Sequence, residues 1–241
     1  MRKLLIAACL VLVAATGMAQ DLEEVVVTGA RSKEGGMPGT FLRKTGDFLL
    51  LQVRVTNDTR EADGRKSEIY ATLRAAVSAA NRDGTIELSV IDENDLVIPL
   101  KVDSATVVLR PGDRPDTSQT RISVKTRIPG SNANGQALIS KLKDFVAGIK
   151  VTGRTKLDPD GDVDISIVGP HRYRDEIIGL FAADAKKVTA ALGADYKVVA
   201  LGIDRPVEWV RIGLLELALY VPYRYDVLPG TVTTFVNTPS E

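Results

Sequence analysis

The spacing of the apolar residues switches several times between the period of a strand and the period of a helix, and this constrains the fold most. Apolar and polar residues alternate over 48–57, as in a half-buried strand. Helical spacing follows over 69–80, 138–149 and 173–193. The side-chain oxygens of residues 57–59 are suited to capping the first helix. Further strands are predicted at 85–92, 96–102, 105–110, 121–128, 151–156, 163–168, 196–204 and 214–227. We therefore expect an α+β fold in which strands bracket three main helices, with an antiparallel or mixed sheet.

The same pattern divides the chain into four parts. Residues 1–19 form a leader, 20–46 a flexible glycine-rich segment, 47–229 a single α+β domain, and 230–241 a flexible tail. Composition does not change within 47–229, so we expect no second domain there.

The first residues have the three-part pattern of a secretory signal. Met1, Arg2 and Lys3 supply positive charge, residues 4–16 are apolar, and Gly17-Met18-Ala19 ends in a small residue. The apolar run is short for a membrane span, so cleavage is expected after Ala19, and an uncleaved anchor is the alternative. Export to the periplasm or cell envelope of a Gram-negative bacterium is predicted, with no transmembrane segment after cleavage.

Charge and composition exclude several classes of protein. The chain has 31 basic and 31 acidic side chains, and loss of Arg2 and Lys3 with the leader would leave 29 against 31, a net charge of −2. Nucleic-acid binding is not expected without a basic excess. Cys9 is the only cysteine and His171 the only histidine, so a Cys/His zinc cluster and a disulfide framework are excluded.

A short segment after the leader has three consecutive valines, which favour an extended chain. It consists of Glu23, Glu24, Val25, Val26, Val27, Thr28 and Gly29. This EEVVVTG segment resembles the box near the mature N-terminus of TonB-dependent outer-membrane receptors. The resemblance implies a TonB-like partner, bound by addition of a strand to the partner's sheet. The alternatives are a short strand that docks on its own domain, or an inherited leader without a partner.

A longer resemblance covers most of 48–227. The segments that carry it are QVRVTNDT, ISKLKDFVAGIKVTGRTKL, DVDISIV, EIIGLFAADAKKVTAALGADYKVVALGID and ELALYVPYRYDV. In element order they resemble the SIMPL-domain family of periplasmic and secreted proteins, although the family's glycine-rich opening is absent from the first strand. The resemblance implies a SIMPL-like fold, an envelope location and, as in some members, assembly into rings. It carries over no enzymatic residues.

Four alternating carboxylates form the sharpest local feature, and oxygen ligands of this kind suit Ca²⁺. They are Asp158, Asp160, Asp162 and Asp164. Counted from Asp158, the sixth and twelfth positions are Val163 and Gly169, whereas an EF-hand loop requires Gly and Glu there. Pro-Asp-Gly is a turn signal, so a hairpin turn is predicted, with a calcium site as the weak alternative.

The remaining chemistry indicates no enzyme. No Gly-x-Ser-x-Gly elbow occurs, and His171 is expected to be exposed or to cap a helix. The scattered lysines and arginines are expected to form a solvated face, and Trp209 and the tyrosines of 220–225 to fill a core or a subunit interface. The sequence therefore predicts a non-enzymatic envelope protein without a cofactor that acts through protein partners or self-association, as an oligomeric assembly or a stress-related factor. The alternatives are a TonB-interacting adaptor and a small-molecule or calcium-binding module.

Overall fold

A computed structural model describes residues 23–27, 37–92, 96–103 and 106–231. These residues contain three α-helices, α1 (Ala62–Asp83), α2 (Gly135–Ala147) and α3 (Arg174–Leu192). Their strands are β1 (Glu24–Val27), β2 (Leu42–Thr45), β3 (Phe48–Asn57), β4 (Ile86–Ile91), β5 (Val97–Pro99), β6 (Arg110–Pro111), β7 (Ser118–Arg127), β8 (Thr155–Pro159), β9 (Asp164–Val168), β10 (Tyr196–Leu201), β11 (Glu208–Arg211), β12 (Glu216–Tyr220) and β13 (Arg224–Pro229). The α+β organisation with three main helices is confirmed, and the strand pairings are antiparallel. The leader predicted at 1–19 and residues 232–241 of the tail lie outside the described residues.

The largest sheet is built around β3. Its strands run in the order β1-β9-β3-β7-β4-β5, with β6 added beside β7 and β8 beside β3. All ten residues of β3 are in register with β7, from Phe48 opposite Arg127 to Asn57 opposite Ser118. An antiparallel bridge between Val25 and Leu96 connects the β1 end of the sheet to the β5 end. The sheet therefore curls until its two ends meet.

This curl buries both faces of the sheet. One face carries fully buried residues of β3, including Leu49 and Leu51, which form the main core with Ile69 of α1 and Leu142 of α2. The opposite face is enclosed by the sheet itself. Its buried side chains include Phe48, Leu50, Ser89, Ser123, Lys125 and Ser166. The interior of the curled sheet thus contains polar and charged groups.

Two smaller sheets contain the C-terminal strands. β12 pairs with β11 and β2, whereas β13 pairs only with β10 among the described residues. The single long strand predicted at 214–227 is therefore wrong. The chain leaves one sheet after Tyr220 and enters the other at Arg224, and Pro222 between them has no N–H to donate to a ladder.

Other differences from the sequence prediction have local causes. Residues 106–109 are not a strand, because Asp103 accepts the backbone N–H of Thr106 with its side chain and that of Val107 with its carbonyl. The segment predicted to be flexible, 20–46, contains β1 and β2, and both pair with distant strands. β11 was also not predicted.

Asn57 does not help to cap α1. The N-cap is Glu61, without a side-chain hydrogen bond. Asn57 is buried, and its Nδ2 donates to Glu68 Oε2 of α1 at 2.7 Å and to Thr155 Oγ1 of β8 at 2.9 Å. Its Oδ1 accepts the backbone N–H of Thr59 at 2.8 Å. One amide therefore joins the end of β3 to a helix and to a neighbouring strand.

Replacement of this amide should cost more stability than loss of an exposed helix cap. We expect Asn57→Ala to lower the free energy of unfolding by about 2–3 kcal/mol, because buried partners lose their hydrogen bonds. The matched control is Asn134→Ala, which removes the side-chain cap of α2 and should cost about 1 kcal/mol. Urea denaturation measures both losses, and equal losses would contradict the role given to Asn57.

Candidate interaction site

The predicted partner-binding segment is docked on its own domain. β1 pairs with β9 over four residues, from Glu24 opposite Val168 to Val27 opposite Ile165. The backbone N–H of Gly169 donates to the carbonyl of Glu23 at 2.6 Å and extends this ladder. Thr28 and Gly29 lie outside the described residues.

Two valines fix the orientation of β1. Val25 is 6% exposed and belongs to the main core, where it lies opposite Ile167. Val26 points to the other side of the strand and is 8% exposed. Since Val25 also bridges Leu96, β1 has a neighbour on each edge. In this arrangement the segment is not free to add to the sheet of another protein.

The polar contact of β1 is an ion pair inside the curled sheet. Glu24 Oε2 lies 2.6 Å from the Lys125 amino group of β7, and the two side chains are 11% and 9% exposed. Glu24 Oε1 accepts a hydrogen bond from Ser166 Oγ at 2.7 Å. The Lys125 amino group lies 4.2 Å from the centre of the Phe48 ring and 3.3 Å from Glu87, which is largely exposed. Glu24 therefore supplies the buried counter-charge of Lys125.

Lys125 corrects the expectation that the lysines form a solvated face. It lies in β7 beside core residue Val124 and points to the other face of the sheet. Alternation along one strand shows that these two residues face opposite ways, but it does not show that both faces are covered. The face that carries Lys125 is covered because β1 pairs with β9 and Val25 bridges Leu96, and both contacts join residues that are distant in sequence.

The predicted hairpin at the acidic residues is also wrong. β8 and β9 do not pair with each other; they follow one another along the same edge of β3. Between them, residues 160–163 lie opposite Leu51 and Gln52 of β3, so the loop is a two-residue insertion in that edge. The Asp160 N–H donates to the Gln52 carbonyl at 2.8 Å.

The four aspartates of this loop do not act as one group. Asp160 Oδ1 and Oδ2 accept from Arg54 and Arg121, each at 2.6 Å. The hydrogen bond from Arg121, followed by that from Arg54, holds the pKa of Asp160 below its usual range. Asp158 is exposed and lies opposite Arg54 in the strand register. Within the described residues, no group of three or more His, Cys, Asp or Glu side chains is placed to hold a metal ion.

Asp164 differs from its neighbours because it is partly buried at the start of β9. Burial of the carboxylate raises its pKa to about 6. The positive charge of Arg211 acts against this rise, and the negative charge of Asp162 adds to it. A side-chain hydrogen bond with Gln52 acts in the opposite direction, towards the ionised form. The ionised form of Asp164 therefore lowers the stability of the folded protein at neutral pH.

His171 lies on the surface, in a short 3₁₀ helix at Pro170–Tyr173. Its ring meets that of Trp209 edge-on, with 6.4 Å between the ring centres. Tyr220, predicted to fill a core or an interface, is 3% exposed.

A second surface lies on α3, β10 and β13, and these three elements are together named the C-terminal unit. Phe181 of α3 packs against Tyr223 and Tyr225, with ring centres 4.5 and 5.5 Å away. The Tyr225 hydroxyl hydrogen-bonds Asp184 Oδ2 at 3.1 Å. Burial of the hydroxyl raises the pKa of Tyr225, and the bond to Asp184 adds to this effect. These contacts join α3 to the C-terminal strands.

The C-terminal unit buries little of its apolar surface. The buried side chains of α3 are Ile177 and Phe181. Four large apolar side chains of the unit are exposed: Leu180 at 39%, Leu192 at 38%, Tyr196 at 47% and Val227 at 47%. Isolated two-stranded sheets are marginally stable in water, so such a unit gains from a further partner.

Comparison with known proteins gives no match to this chain from family models, curated proteins or solved structures. The likenesses to SIMPL-domain proteins and to the TonB box therefore remain predictions from sequence. Among the described residues, none of the helices combines the length and apolar character needed to cross a membrane.

The raised pKa of Asp164 predicts a pH-dependent effect of its replacement. The folded state binds the proton of the Asp164 carboxyl group more tightly than the unfolded chain does, so this carboxyl group favours folding below about pH 4. That contribution is lost as the pH rises through about 6. We expect Asp164→Asn to stabilise the protein by about 1–2 kcal/mol at pH 7 and by nothing measurable at pH 3.5. The value at pH 7 is reduced because Asp164 is partly exposed and solvent screens its charge.

Denaturation of variant and wild type at both pH values measures this difference. The control is Asp158→Asn, which alters an exposed carboxylate of the same loop and should change little at either pH. An equal effect of Asp164→Asn at the two pH values would contradict the assignment.

Proposed function

We propose that this chain is an exported, non-enzymatic protein of the cell envelope that acts by associating with further copies of itself. The signal-like pattern of residues 1–19 supports export. The SIMPL-like order of elements supports an envelope location and self-assembly. The observation that carries the proposal is the C-terminal unit, in which, among the described residues, large apolar side chains are exposed and two strand edges have no partner.

The apolar surface of the unit has an identifiable position. Val227 and Tyr225 share a face of β13, since they are two residues apart, and Tyr225 turns towards α3. α3 packs against β10, and Val227 remains 47% exposed. On the other face of the two strands, Val199, Leu201 and Leu228 are only half-buried. Both faces of the sheet therefore retain apolar area for a partner.

The strand edges favour a second copy of the chain as that partner. β10 and β13 pair only with each other in the described part of the chain, so each has one edge with unpaired backbone groups. β10 is six residues long and contains no proline. Such an edge is a template for strand pairing. Because the two free edges are on opposite sides of one sheet, β13 of one copy can pair with β10 of the next, and repetition gives a ring if the rotation closes.

Charge is compatible with this head-to-tail contact. Lys197 of β10 is exposed, and Asp226 of β13 lies on the same face of the sheet, because Asp226 is opposite Val199 in the register. Asp226 lies 3.8 Å from Arg224 of its own strand, which is on the same face, so the charges of β13 there balance each other and leave no net repulsion of Lys197 from a neighbouring copy. After loss of the leader the chain would have 29 basic and 31 acidic side chains, and a net charge of −2 is too small for long-range repulsion to keep copies apart.

Replacement of Val227 tests the proposal. Light scattering of the purified protein at rising concentration should show species larger than a monomer. Val227→Lys should shift the distribution towards monomer, since it places a charge in the apolar contact. The matched control is Val151→Lys, which alters a valine that is 45% exposed outside the C-terminal unit and should leave the distribution unchanged. A wild-type protein that stays monomeric at high concentration would overturn the proposal.

A further inference from the structure

The site that binds β1 has backbone, charged and polar groups that determine which kind of strand can bind there. It offers the edge of β9, a buried amino group on Lys125 and the hydroxyl of Ser166. An occupant must therefore be an extended chain with a carboxylate at the Lys125 position and apolar residues directly after it. Glu24 is followed by Val25 and Val26, which meets this requirement.

The site also requires an occupant. Without β1, the backbone groups of β9 on that edge lose their partners, and within the described residues Lys125 keeps only the largely exposed Glu87 as an ion-pair partner. A buried charge that loses its counter-charge is strongly destabilising. The site is thus expected to remain filled in the folded protein.

The chain between β1 and the rest of the domain is long. Fourteen residues, 28–41, connect Val27 to Leu42 of β2. Fully extended, such a segment spans about 46 Å, at about 3.3 Å per residue. Gly29, Gly35, Gly36 and Gly39 lie in it. A tether of this length lets β1 reach a site on an adjacent molecule.

We infer that β1 is an exchangeable strand, and that Glu24–Val27 of one copy fills the β9 and Lys125 site of another. The second copy is the occupant because its strand has the same sequence and makes the same ladder, ion pair and valine contacts. A reciprocal exchange therefore retains every contact of the docked strand and costs mainly the entropy of association, which makes such swaps an accessible route to oligomers.

This inference rests on the proposed function in one respect, since copies held together by their C-terminal units meet at a high effective concentration. The strand exchange itself depends on different residues. Loss of one contact therefore does not imply loss of the other, and the two are measured separately.

Cysteine cross-linking between copies tests the exchange. Gly169 and Glu23 share a ladder hydrogen bond, so by alternation Val26 and Ser166 form a non-hydrogen-bonded pair, with Cα atoms about 4.5 Å apart. That separation suits a disulfide. In a Cys9→Ser background, Val26→Cys and Ser166→Cys are made in separate chains, which are mixed and oxidised. We expect a disulfide-linked dimer that contains one chain of each kind.

Two controls make the result decisive. Val26→Cys mixed with Lys143→Cys, an exposed position on α2, measures random cross-linking. A single chain with both Val26→Cys and Ser166→Cys should close its disulfide internally, which reports that β1 docks as described. A mixed dimer no more abundant than in the Lys143→Cys control overturns the exchange, as does a double variant that forms no disulfide.

The same samples in light scattering distinguish this inference from the proposed function. Association without mixed cross-links overturns strand exchange alone. Mixed disulfide-linked dimers that still form when both chains carry Val227→Lys support a strand exchange that does not depend on the C-terminal unit. This holds whether or not light scattering shows that Val227→Lys abolishes association.

Discussion

The amino group of Lys125 lies inside the curled sheet, 2.6 Å from a carboxylate supplied by the first described strand of the chain. A lysine in this position is tolerated because Glu24 and the Phe48 ring face its charge. The ion pair therefore ties the N-terminal strand to β7, from which it is separated by two other strands of the sheet. With β1 in place, the sheet has a neighbour for β9 and a bridge from Val25 to Leu96.

Closure of the sheet accounts for the unequal burial of the molecule. β3 has partners on both edges over nearly its whole length, and its residues Leu49, Leu50, Leu51, Val53 and Val55 are fully buried. The C-terminal unit has no comparable enclosure, since β10 and β13 form a sheet of two within the described residues. The curled sheet and its helices bury most of their apolar side chains, whereas the C-terminal unit leaves Leu180, Leu192, Tyr196 and Val227 exposed. The two associations that we propose therefore use the first described strand and the C-terminal unit.

Local spacing was sufficient to predict the elements that are long and strongly periodic. The alternation of β3 and the helical stripes of α1, α2 and α3 fall where the sequence places them. The short strands β2 and β11 have little periodicity of their own, and they are strands because β12 lies between them. Likewise, the turn signal at Asp160 and Gly161 predicts a reversal of the chain, whereas β8 and β9 run in the same direction along one edge of β3, which local spacing does not show.

The candidate site was predicted in part for the same reason. Three valines in succession indicate an extended segment, and docking on its own domain was one of the alternatives for it. The partner of Glu24 was not predictable, because Lys125 is about a hundred residues away and its burial depends on the closed sheet. A pattern within one strand identifies which residues share a face; only long-range pairing decides what covers that face.

A double-mutant cycle on Glu24 and Lys125 tests this account most directly. The free energy of unfolding is measured for wild type, Glu24→Gln, Lys125→Met and the double variant. If the pair closes the sheet, each single variant loses about 3 kcal/mol, and the double variant loses clearly less than the sum, with a coupling of at least about 1 kcal/mol. Small and additive losses would contradict the account, since they would show that Glu24 does not supply the counter-charge of a buried lysine.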